Sequence, residues 1–128
     1  MKTTFTAART LLGLLFTVFG LNGFLHFLPM QAMPEGVALQ FVTALAASHY
    51  MVVVFALQLG TGLLLLSNRF VPLALTLLAP VIVNIVLFHL LMAPAGLPLA
   101  IVVTILWMLT AYGVRPAFQS LFQTRVHA

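Results

Sequence analysis

A chain of 128 residues that is 63% hydrophobic and 5% charged cannot be a soluble globular domain, which carries about 25% charged residues. Its net charge of +4 comes from five cations and one acid, scattered along the chain rather than gathered into the basic patch that a nucleic-acid binder needs. It has no cysteine, which excludes disulfides, thiolate metal sites and CxxC redox chemistry.

A helix crosses the hydrocarbon core of a bilayer with about 20 mostly apolar residues. The first candidate covers residues 10–28 and closes at Pro29. Residues 1–28 have a basic start, with Lys2, followed by an apolar stretch, as a signal peptide does. Their apolar stretch is too long, however, and no A-x-A site follows, so an uncleaved first helix is expected. Residues 29–47 are too long for a tight turn and too apolar for a free loop. Pro34 before Glu35 suits a first helical turn, and Phe41, Val42 and Leu45 recur at helical spacing. A short interfacial helix in this first external connection is expected.

The second span covers residues 48–66 and ends in the turn-like Ser67-Asn68-Arg69. The third covers 70–92 and stops at Pro94-Ala95-Gly96; the fourth covers 97–114, before Arg115-Pro116. The last two connections are a few residues long, which makes their helices antiparallel neighbours. Within the third span, Pro72 falls in the first turn, where a missing N–H does no harm. Pro80 lies mid-span and is expected to kink the helix or free the carbonyl of Thr76. The whole chain then reads as one all-α transmembrane domain, residues 1–128, built as an integral membrane four-helix bundle. Lys2, Arg9, Arg69, Arg115 and Arg125 all fall on one side of this arrangement and Glu35 on the other. Loops rich in Lys and Arg stay inside, so both termini are expected in the cytoplasm.

An unpaired polar group in hydrocarbon costs several kcal/mol, so the polar residues within the spans are the candidates for function. They are Asn22, His26, His49, Gln58, Asn84 and His89. The topology sets His26, His49 and His89 at one outer level, with Asn22 and Asn84 deeper and Gln58 near the midplane. Asn22 and His26 are four residues apart and share a face. Gly13, Thr17 and Gly20 lie on the opposite face and suit close approach by another helix. Asn84 and His89 diverge by about 140° on an ideal helix, and His49 and Gln58 by about 180°.

Several chemistries fit this set. Asn22, His26, Gln58, Asn84 and His89 could hydrogen-bond the polar end of a quinone, sterol or lipid whose tail fills the bundle. Two histidines could ligate a haem iron, or three a zinc or copper ion. Alternatively, the histidines rest at the headgroup boundary while the amides join helices. No Asp, Glu or Lys lies within a span, so a carboxylate proton relay and a retinal Schiff base are not available. No serine–histidine–acid set and no Gly-rich phosphate loop is present, and no catalytic activity of the chain's own is expected. Trp107, well inside the fourth span, is expected to pack on a neighbouring helix.

The stretch from Arg9 to Phe24, with its arginine, its glycines and Gly20-Leu-Asn-Gly23, resembles the first helix of DoxX-like membrane proteins. Leu57-Gln-Leu-Gly-Thr-Gly-Leu-Leu-Leu-Leu66 is similar to that family's second-helix segment. Asn68 to Leu75 and Ala79 to His89 are similar to the third helix of a DoxX subgroup. The resemblance covers most of residues 9–96. It implies a four-helix protein of the bacterial inner membrane. It also implies an accessory subunit beside a larger redox or respiratory membrane complex, with the quinone link known in that family. Gln58 stands where many relatives carry an acid, so proton or cation handling by a carboxylate there is not implied for this chain.

Overall fold

The computed structural model describes residues 1–29 and 32–127. Among these residues are five α-helices: α1 (Lys2–Leu25), α2 (Gly36–Ala47), α3 (Tyr50–Leu66), α4 (Val71–Leu91) and α5 (Leu97–Gly113). Short 3₁₀ segments cover Pro94–Gly96 before α5 and Arg115–Phe122 after it.

Each boundary has a local cause. α1 starts at Lys2 rather than at Thr10, because hydropathy marks only the apolar part of a helix. The threonine-bearing turns before it contain no Gly or Pro to break the ladder. α1 ends at Leu25 because His26 adopts the left-handed conformation at φ 52°. Asn22 holds that stop: its carbonyl oxygen accepts the His26 N–H at 2.8 Å, and its side-chain Oδ1 accepts the Leu28 N–H at 2.8 Å. α2 is the helix expected in the connection between the first two spans. Ser48 and His49, the latter at φ 60°, turn the chain through 84° into α3. Pro80 does not interrupt α4, which runs unbroken from Val71 to Leu91.

α1, α4 and the Pro94–Gly113 segment are long and apolar enough to cross a membrane. α3 has 17 residues, about 25 Å at 1.5 Å per residue. Counting the bent α2–α3 pair as one span brings the number to four. The four long helices close into a ring: α1 packs on α3, α3 on α4, α4 on α5 and α5 back on α1. Neighbours run antiparallel. Arg9 meets Leu65, Trp107 donates its indole N–H to the Leu75 carbonyl at 3.0 Å, and Phe5 lies against Gly113.

α1 and α3 approach each other along their small residues. A Cβ on Gly20 would lie 2.5 Å from the Leu59 amide nitrogen, and one on Gly62 would lie 2.6 Å from that of Thr17. Backbones can come this close only where side chains are absent, which is the use small residues have between membrane helices.

The ring is packed unevenly. The largest fully buried side chains, Leu12, Leu65, Leu75, Leu78 and Thr110, all belong to the end that carries the cations. At that end α1 and α4 begin and α3 and α5 finish. Toward the histidine end the core thins. α2 lies across this end, with Ala38 buried and Phe41 set against Phe88 of α4 at 5.7 Å between ring centroids. The outward faces are apolar, with Val53, Leu73, Leu90, Ile101, Ile105 and Met108 all exposed.

Candidate functional site: a cavity at the histidine end

The space left by the thinning core is a cavity of about 360 Å³. That volume lies within the range of small-molecule sites. All four helices of the ring line it. α1 contributes one side from Leu15 to the residue after its end, His26, roughly 16 Å along the axis. α3 contributes Phe55 and Gln58, α4 Ile85 and His89, and α5 Leu99, Ala100 and Val103. The inner walls are aliphatic and aromatic. The polar groups are Asn22, His26, Gln58 and His89.

The structure brings together four of the five residues chosen from sequence. Asn84 is the exception: it is exposed, and its Nδ2 donates to the Pro80 carbonyl at 2.8 Å on its own helix. The angular divergence explains this. With about 140° between Asn84 and His89, only one can face the ring interior, and His89 does. The same reasoning separates Gln58 from His49. Gln58 is buried against the cavity, while His49 is exposed at the start of α3 and does not line it. The three histidines therefore share a level but not a centre. Among the described residues, no group of three His, Asp or Glu side chains is placed to hold a metal ion.

Each polar group has a distinct hydrogen-bonding state. Gln58 is 9% exposed, and its side-chain amide has no hydrogen-bond partner among the described residues. Its neighbour Thr61 turns away, donating to the carbonyl of Leu57 at 2.6 Å. Asn22 spends its Oδ1 on the Leu28 N–H, which leaves the Nδ2 hydrogens. His89 donates its Nδ1–H to the Ile85 carbonyl at 2.8 Å. A carbonyl can only accept, so the proton is on Nδ1, and in a neutral ring Nε2 is an acceptor. The Nε2–Cδ2 edge of this ring rests on Gly96, where any side chain would collide with it. His26 is exposed at the rim.

Two contributors carry no sequence signal of their own. Phe55 packs its ring against Gly23 and edge-on against Phe24, at 6.3 Å between centroids. Gly96 forms the seat of His89. Each pair becomes legible only once two helices are side by side.

No protein-family model matches this chain, and no curated protein or solved structure matches it significantly.

Proposed function

We propose that this chain is a multi-pass protein of the bacterial inner membrane that binds one small, mostly apolar ligand, of quinone, sterol or lipid type. Both termini lie in the cytoplasm. The ligand's polar end sits among Asn22, His26, Gln58 and His89, and its apolar part lies against Phe16, Phe19, Phe55 and Val103.

One observation carries this reading. A nearly buried amide, that of Gln58, faces an apolar cavity with no partner from the described residues. A ligand's polar atom brought to that amide would give it a hydrogen bond in an apolar surrounding. The orientation follows from charge. Lys2, Arg9, Arg69 and Arg115 stand at one end of the ring and Glu35 at the other, which supports an orientation with the cavity toward the outer face.

The DoxX-like motifs support a second reading, in which the chain accompanies a larger redox complex and holds this ligand beside it. Native mass spectrometry of the protein extracted in mild detergent reads both. A bound mass of a few hundred daltons, lost when Asn22 and His26 are both replaced by leucine, is the expected result. Larger subunits retained with the chain add the accessory role. A chain that emerges with neither overturns both readings.

A further inference from the structure

Beyond α5 the chain carries apolar side chains that the ring does not cover. It turns at Val114 into the 3₁₀ segment Arg115–Phe122. Such a helix stacks residues three apart, which sets Phe118 and Leu121 in line. Phe118 packs against the buried core and holds the segment to the end of the ring. Leu121, one turn on, is 69% exposed, and Phe122 and Val126 are 83% and 86% exposed.

Positive charge accompanies these side chains. Arg115 and Arg125 flank them, and no Asp or Glu follows Glu35 in the sequence. The Arg115 guanidinium stands 4.4 Å over the Tyr112 ring and donates one N–H to the Tyr112 carbonyl at 3.1 Å. A guanidinium has five N–H donors, so most of the fork remains for an anion. Lys2 and Arg69 add two cations at the same end of the ring.

Residues just past the end of a spanning helix stand at the level of the lipid headgroups. There an apolar side chain enters the acyl boundary, while an arginine binds phosphate through paired hydrogen bonds. A zwitterionic surface would satisfy the apolar side chains alone. An anionic surface satisfies these and the unopposed cations together.

We infer that residues 115–127 form a surface anchor for anionic phospholipid. Leu121, Phe122 and Val126 enter the leaflet beside the ring, and Arg115 and Arg125 bind its headgroups. The anchor lies at the opposite end of the ring from the cavity. It depends on the spanning arrangement and not on the ligand.

The test uses the full chain with Gln123→Cys, an exposed position in a chain without cysteine, labelled with an environment-sensitive dye. Nanodiscs of phosphatidylcholine are compared with nanodiscs that also contain phosphatidylglycerol. Acrylamide quenches the dye from water, and a brominated acyl chain quenches it from the lipid. In the anionic discs the dye should be quenched by lipid and protected from acrylamide, and in the zwitterionic discs that protection should fall. Replacing both Arg115 and Arg125 with glutamine should lower the ratio of seated to free segment about thirtyfold in anionic discs, about fivefold for each cation, and less than about twofold in zwitterionic ones. Molar salt, which shortens the Debye length to about 3 Å, should remove the same difference. Leu121→Ser with Phe122→Ser should free the segment in both lipids.

All four replaced side chains are exposed, and the comparison of the two discs needs none of these variants. Equal protection in both lipids overturns the recognition of anionic lipid. So does protection that survives the loss of both arginines. A dye open to acrylamide in both discs overturns the anchor itself. If that same dye is protected in native membranes, a protein partner covers the segment instead of lipid.

Discussion

The guanidinium of Arg9, in the third turn of α1, donates to the carbonyl of Leu65 in the last turn of α3, and more weakly to that of Leu66 at 3.4 Å. The last carbonyls of a helix have no partner within it and carry the negative end of its dipole, so a cation there is doubly favourable. Arg9 is buried, and its Nε has no partner among the described residues. The contact also fixes the antiparallel register of α1 on α3 at the end where the bundle is tightest.

Replacing Arg9 with alanine should therefore do more than remove a topology signal. The loss of a charge-assisted hydrogen bond at a helix end amounts to about 2 kcal/mol. Lysine at this position keeps the charge but not the fork, and should recover only part of that loss. Thermal unfolding in detergent checks both. An Arg9→Ala protein as stable as the parent would show that Arg9 serves orientation alone.

The α1–α3 contact makes a paired prediction about glycines. Gly20→Ala places a methyl group against the backbone of Leu59 and should destabilise by about 1–3 kcal/mol, the cost of overpacking where neither backbone can yield. Gly60 is exposed with nothing within 4 Å of its would-be Cβ. Gly60→Ala should be neutral or stabilising by up to about 1 kcal/mol, through reduced backbone entropy. Equal responses of the two sites would refute the close-packed seam.

Within the site, Gln58→Leu and Asn84→Leu separate cavity from lipid face. The first removes a nearly buried amide from the cavity wall, and the second an exposed one outside it. Retention of the native ligand, read by mass spectrometry, should fall about tenfold for Gln58→Leu. For Asn84→Leu it should stay unchanged. The reverse order would place the ligand on the outside of α4.

Orientation is open to direct labelling because the chain has no cysteine of its own. A single cysteine at Met33 or at Ser67, both exposed, introduces one reactive thiol at each end of the ring. A membrane-impermeant maleimide should label Met33→Cys in intact spheroplasts, and Ser67→Cys only in inverted vesicles. Labelling of both from one side would reject the spanning arrangement.

Much of the architecture is legible before any coordinates. Apolar runs of span length predict the long helices. Pro34 and the spacing of Phe41, Val42 and Leu45 predict α2, and Gly13, Thr17 and Gly20 predict a seam. Helix ends are less legible. α1 begins eight residues before its hydrophobic run, at Lys2 instead of Thr10, because hydrogen-bonded turns continue through polar residues that hydropathy does not count. Its far end depends on the side chain of Asn22 folding back onto Leu28, a contact that the spacing of residues does not announce.

The candidate site divides along the same line. By itself the sequence determined which polar groups are costly in a membrane, that His26, His49 and His89 share one end, and that Asn84 and His89 point about 140° apart on their helix. The tertiary structure alone decided which member of each divergent pair faces the cavity. Angular spacing along one helix is a local property, whereas rotation about the helix axis is set by its neighbours. α3 is turned by the fit of Gly62 against Thr17 and Gly13, and α4 by Leu75 under Trp107. Those rotations carry Gln58 and His89 into the ring and leave His49 and Asn84 outside it. They also bring Phe55 to Gly23 and His89 to Gly96, pairs from different helices that no single helix contains.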